Sequence, residues 1–272
     1  MSFFHGVTVT NVDIGARTIA LPASSVIGLC DVFTPGAQAS AKPNVPVLLT
    51  SKKDAAAAFG IGSSIYLACE AIYNRAQAVI VAVGVEAAET PEAQASAVIG
   101  GVSAAGERTG LQALLDGKSR FNAQPRLLVA PGHSAQQAVA TAMDGLAEKL
   151  RAIAILDGPN STDEAAVAYA KNFGSKRLFM VDPGVQVWDS ATNAARKAPA
   201  SAYAAGLFAW TDAEYGFWSS PSNKEIKGIT GTSRPVEFLD GDETCRANLL
   251  NNANITTIIR DEAIACGATV PS

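Results

Sequence analysis

The stretch Pro125–Val181, PRLLVAPGHSAQQAVATAMDGLAEKLRAIAILDGPNSTDEAAVAYAKNFGSKRLFMV, decides the fold. It holds three short apolar runs, Arg126–Ala130, Ala152–Leu156 and Arg177–Val181. Each is too short for a buried helix and suits a strand covered on both faces. Between them lie two segments of helical character. Ser134-x-x-Gln137 predicts a cap for a helix running to about Leu150, and Ser161-x-x-Glu164 one for a helix ending at Gly174. Consecutive strand–helix–strand units with short connections predict an α/β fold, a mixed or parallel sheet with helices on both faces. Right-handed crossovers make it doubly wound from residue 125 onward.

Upstream, the pattern predicts strands in Ser25–Cys30, Val45–Leu49 and Ala78–Val83. Helices are expected after Ser51-x-x-Asp54, which resembles a capping box ending at Gly60, and over Ile65–Arg75. Thr90-Pro91 supplies a cap followed by proline at the first helical position. From there to Gln124, Gly-broken helical pieces suggest an exposed insertion. Downstream, Pro199 opens a helix through about Thr211, Asp242–Asn251 forms a shorter helix, and Ile255–Ile259 is a last β-branched strand. The first residues differ in kind. Val7 and Val9 alternate with Thr8 and Thr10, and Val12 and Ile14 continue the alternation one residue out of register. This predicts an extended arm over residues 1–21 with no hairpin partner nearby, able to join its own sheet or a neighbour's. The organisation read from the sequence is thus the arm (1–21), inner-domain strands and helices (22–90), an α/β region (91–261) and a tail (262–272).

Composition limits the functions open to such a fold. The chain has 272 residues, 48% of them hydrophobic and only 17% charged, so it can bury a large core. Its net charge of -4 offers no case for nucleic acid as a partner. Met1-Ser2-Phe3-Phe4-His5 lacks the basic start of a signal peptide, and no apolar run approaches membrane-spanning length, so no direct membrane insertion is expected. Cys30, Cys69, Cys245 and Cys266 are scattered without a C-x-x-C pair, which fits a reducing compartment better than a disulfide or zinc framework. His5 and His133 are the only histidines. No metal site and no cofactor is expected.

The catalytic candidates are few. His133, Ser134 and Asp157 follow predicted strands and suggest a hydrolase-like set, the alternative to a structural role. Gly132-His133-Ser134-Ala135-Gln136 fails the nucleophile elbow, which needs glycine where Gln136 stands. Ser134 is expected to cap a helix. Asp157-Gly158-Pro159 and Asp182-Pro183-Gly184 are expected to be turns whose Asp bonds its own backbone. Gly117-Lys118-Ser119 matches the end of a phosphate loop, but the required earlier glycine falls at Gln112. Trp188, Trp210 and Trp218 suit core or interface anchors better than a cofactor box. The residues favour a protein that is not an enzyme.

Several segments in a fixed order resemble contractile phage-type tail sheath proteins. They are Phe4-His5-Gly6-Val7-x-Val9 with Gly15-x-Arg17-x-Ile19, the strand Pro125–Gly132, Leu150-Arg151-Ala152, Asp182-Pro183 with Val187-Trp188-Asp189, and Trp218-Ser219-Ser220-Pro221-Ser222-Asn223-Lys224 followed by Gly228-Ile229-Thr230-Gly231. The resemblance covers Met1 to about Asp261 and is near to the sheath of R-type pyocins. It implies a subunit that polymerises with other sheath subunits around an inner tube protein above a baseplate, and contracts to drive the tube through a target envelope. It also implies assembly in the bacterial cytoplasm into a virion or tail-like particle. Val7, Val9, Val12 and Ile14 would then add a strand to a neighbour. Family members run on well beyond this point, where Gly-Tyr-Arg-Leu-Trp-Gly-Asn-Arg-Thr-Leu is expected after Asp261. A suitable choice of codons for that peptide, with one base lost just before it, reads out Glu262–Ser272. The expectation is a tail read out of frame, in a chain that is monomeric or weakly associating by itself.

Overall fold

Alternating side chains on the central strands divide the molecule into two cores. The computed structural model describes residues 25–260 apart from 37, 38, 191 and 240. In chain order its elements begin with β1 (Ile27–Val32), β2 (Val47–Leu49), α1 (Lys52–Phe59), α2 (Ser64–Tyr73), β3 (Ile80–Val85) and α3 (Pro91–Ile99). A 3-10 helix (Gly110–Asp116) and α4 (Gly117–Phe121) lead to β4 (Leu127–Val129), α5 (Gln137–Leu150), β5 (Ile153–Asp157), α6 (Asp163–Ala170) and β6 (Leu178–Val181). A hairpin of β7 (Val185–Asp189) and β8 (Ala194–Ala198) precedes α7 (Ser201–Tyr215), β9 (Gly231–Thr232), α8 (Arg246–Asn252) and β10 (Ile255–Thr256).

Seven strands form one sheet in the order β10-β6-β5-β4-β1-β3-β2, parallel except for β2. On β3, Ile80 and Ala82 enter the core built with α1, α2 and α7, while Val81 and Val83 enter the core built with α3 and α5. Leu127 and Val129 on β4 face the first core and Leu128 faces the second. This is the two-residue period of a strand buried on both sides. The chain runs from β1 to β3 on one side, then returns to β4 on the other, so the winding reverses between β1 and β4. The α/β expectation therefore holds, with helices on both faces.

Local chemistry sets the helix starts. Ser51, Ser63, Thr90 and Thr162 each accept the backbone N–H three residues on. Two expectations are corrected. The cap of α6 is Thr162 rather than Ser161, and α5 starts after Gln136, with no side-chain cap from Ser134. The segment read as an exposed insertion is instead part of the second core: Leu111 and Leu114 in the 3-10 helix are fully buried. Its glycines interrupt the helical pattern but do not keep its leucines in water. A small antiparallel sheet, β8-β7-β9, was not foreseen.

Gly84 shows how tightly the first core closes. A Cβ there would lie 2.4 Å from the Phe33 ring, which itself meets Phe59 edge to face at 5.3 Å. Only a residue without a side chain lets β3 run beneath both rings.

Candidate functional site

Ligands of doubly wound proteins bind at the carboxyl ends of the strands, beside the point where the winding reverses. Here that edge gathers Asp31 from the end of β1, His133 and Ser134 from the loop after β4, Asp157 from the end of β5 and Asp182 after β6. A cavity of about 360 Å³ opens there, lined in part by Asp31, His133, Arg196 and Tyr203.

The three hydrolase candidates come together, but not as a relay. A relay needs histidine between the serine and the carboxylate. His133 Nε2 lies 3.2 Å from Asp31 Oδ1, a residue the sequence reading did not single out. Ser134 Oγ is fully buried and donates straight to Asp157 Oδ2 at 3.1 Å. The Asp157 carboxylate also accepts the Gly132 N–H at 3.0 Å, the Ser201 N–H at 2.8 Å and the Ser201 hydroxyl at 2.6 Å. It binds the loop after β4 and the start of α7 to the end of β5. It does not bond its own turn, contrary to the sequence expectation. Ser134 is held by the same carboxylate, which is why it does not cap α5.

Asp31 is buried, and burial raises its carboxyl above the usual range, opposed by the hydrogen bond and charge of His133. Asp182, also expected to bond locally, instead accepts the Asn160 N–H at 2.8 Å and the Arg234 guanidinium. Burial raises its pKa, opposed by those two partners. Arg234 also reaches Asp163 on α6, and Arg246 meets Asp163 at 2.7 Å. Burial pushes Asp163 upward, but the hydrogen bond and charge of Arg246 and Arg234 outweigh it and hold the group below its ordinary value. Arg234 thus staples the loop before α8 to the α6 side of the sheet. No short motif marks Arg234 or Ser201, because their partners lie 52 and 44 residues away.

The carboxylates at this edge are held by His133, Ser134, Ser201, Asn160 and Arg234, whereas exposed apolar groups lie on β7 and after α7. Trp188 on β7 is 57% exposed, and Phe217 and Trp218 after α7 are 74% and 76% exposed. Trp210 is instead half-buried, with the Arg75 guanidinium 3.6 Å above its ring. Of the exposed three only Phe217 and Trp218 adjoin, edge to face at 5.2 Å, and an exposed aromatic pair of this kind suits a contact surface. Among the described residues no helix is long and apolar enough to cross a membrane, and no cluster of side chains could hold a metal ion. Val7, Val9, Val12 and Ile14 lie outside the described residues.

Comparison with known proteins accounts for a molecule with this arrangement. Residues 106–264 match the phage tail sheath protein central domain, and residues 24–85 match the tail sheath protein Gp18 domain III N-terminal region. The chain is 99% identical over 262 residues to a prophage major tail sheath protein of Pseudomonas aeruginosa (strain UCBPP-PA14), covering 96% of this chain and 68% of that protein. It is 32% identical over 266 residues to the tail sheath protein of Escherichia phage P2, covering 95% and 67%. Its fold is similar to the anti-feeding prophage helical sheath in its contracted state, with a TM-score of 0.62 at 20% identity over 98% of this chain and 67% of that one. The chain belongs to the phage tail sheath protein family, whose members are structural subunits of contractile tails.

Proposed function

We propose that the chain packs with full-length sheath subunits into a helical sheath around an inner tube, seated on a baseplate, and that contraction of the sheath drives the tube through a cell envelope. The observation that carries this reading is the match to sheath proteins along almost the whole chain. The anti-feeding prophage relatives occur in a helical sheath and in a baseplate, which supports both kinds of contact. The tail-like particle of an R-type pyocin, assembled in the bacterial cytoplasm, fits the resemblance of the sequence segments.

In this reading Val7, Val9, Val12 and Ile14 form a strand that joins a neighbour's sheet, where main-chain hydrogen bonds link subunits and side chains set the register. The subunit catalyses nothing. Work comes from the difference in contact free energy between long and short states, and Ser134 and Asp157 serve to hold loops together.

The test mixes tagged chain with the full-length Pseudomonas relative under conditions where that relative forms tubes. Gold label along tubes of constant width supports the sheath reading. Label that stays in the supernatant while unlabelled tubes form rejects it.

A further inference from the structure

Two polar groups at the carboxyl edge of the sheet are left over after the loops are tied together. The first belongs to Asp31, which is only 3% exposed. Its Oδ1 accepts the Val32 N–H at 2.7 Å and meets His133 Nε2 at 3.2 Å. Its Oδ2 takes no hydrogen bond from any described residue, and it is not sealed within the protein. Asp31 lines the cavity of about 360 Å³, and Oδ2 is the atom it presents there. Two contacts on one oxygen fix the carboxylate and leave the other oxygen free to accept.

The second is Arg196 on β8. Across the hairpin Val187 pairs with Arg196, and Val185 with Ala198. Residues directly opposite share a face of the sheet, and Val185, Val187 and Ala198 are buried. Arg196 therefore stands on the inward face of the hairpin. It is half-buried and lines the same cavity beside Tyr203. Among the described residues no carboxylate forms an ion pair with it, Asp31 included. An inward arginine without a partner is unusual, because charges drawn out of water are normally paired.

The cavity also lies where doubly wound proteins hold ligands. Asp31 ends β1 and His133 follows β4, the two strands between which the winding reverses. The rest of its wall is largely apolar, with Leu67, Ala68 and Ala71 of α2 and Ala202 of α7. Its volume falls at the small end of the roughly 300–1,000 Å³ of ligand pockets.

We infer that this cavity binds a small amino acid, with its carboxylate on Arg196, its ammonium on Asp31 Oδ2 and its hydrocarbon part against the α2 wall. The two protein groups are of opposite sign and do not pair with each other, so a ligand carrying both complementary charges satisfies both at once. A plain carboxylate or a plain amine answers one and leaves the other unmatched. A guanidinium grips a carboxylate through two parallel hydrogen bonds. Burial raises the Asp31 carboxyl, and an ammonium beside it favours the charged form. The site needs only the folded chain and does not rest on the sheath reading.

Calorimetric titration and thermal melts of the whole chain test this with alanine, leucine and γ-aminobutyrate, each up to about 10 mM. Butyrate and butylamine, which carry one charge each, are the controls. At least one amino acid should bind one to one and raise the melting temperature. Both controls should bind at least tenfold more weakly. Arg196→Met and Asp31→Asn should each lose at least tenfold in affinity for that amino acid. Should either variant fail to fold, weak binding of butylamine reads the Arg196 contact and weak binding of butyrate the Asp31 contact. No binding of any of the three amino acids, a control that binds as well as they do, or unchanged affinity in a folded variant would each overturn the inference.

Discussion

The Ser134 hydroxyl and Asp157 form a reciprocal pair: Ser134 Oγ donates to Asp157 Oδ2 at 3.1 Å and accepts the Asp157 backbone N–H at 2.9 Å. Both residues are buried, so neither group can turn to water if its partner is removed. Ser134→Ala should therefore destabilise the fold by about 1–3 kcal/mol. Asp157→Asn should cost more, because an amide NH2 would face donors from Gly132, Ser134 and Ser201. Urea denaturation checks the order. A variant as stable as the parent would show that the carboxylate does not hold these loops.

The Arg234 staple makes a pH prediction. Asp163 is held below its ordinary value, so its stabilising contribution is complete above the unfolded value of about 4 and is lost as pH falls through the lower folded value. Asp163→Asn should be less stable than the parent at pH 6 by about 1–2 kcal/mol, and the gap should close below pH 4. Thermal melts of both proteins between pH 6 and pH 2 measure it. A gap that persists at low pH would mean that the loss comes from packing instead of charge. Asp182 is shifted the opposite way, so comparison with the parent, rather than the bare pH slope, is the readout.

Gly84 tests the closeness of the first core. Gly84→Ala places a methyl group 2.4 Å from a Phe33 ring atom and 2.9 Å from a Phe59 ring atom, so the rings or β3 must shift. A loss of about 1–3 kcal/mol is expected. Restored stability in the double variant Gly84→Ala with Phe33→Leu would confirm that the clash with the ring is the cause.

The arm can be tested through assembly. Proline at Val9 removes a main-chain donor from the proposed strand without touching residues 25–260. The melting temperature should stay unchanged while incorporation into tubes of the full-length relative falls at least tenfold. Unchanged incorporation would remove Val9 from the subunit contact.

The pattern of the sequence was sufficient for the strands and helices of the sheet. The runs at residues 126–130 and 177–181 contain the strands found there, the run at 152–156 meets β5 one residue out at each end, and Ser51 and Thr90 cap the helices expected of them. These signals are local: burial on both faces needs an unbroken apolar run, and a cap needs one side chain within three residues. The ordered segments spread from Phe4 to Gly231 also pointed to the family that the comparisons show.

Tertiary structure alone decided what the polar residues do. From sequence, Asp157 and Asp182 looked like turn residues and Ser134 like a cap, since each has a local partner available. The crossovers carry Ser201 and Arg234 to the same edge of the sheet, where a carboxylate taken out of water gains more from several fixed donors than from its own turn. The same holds for the 3-10 helix, whose leucines carry no strong periodic signal yet fill the space between β3 and α5. Periodicity tells which face of an element is buried. Which distant groups meet there depends on how the elements stack, and that is a property of the whole chain.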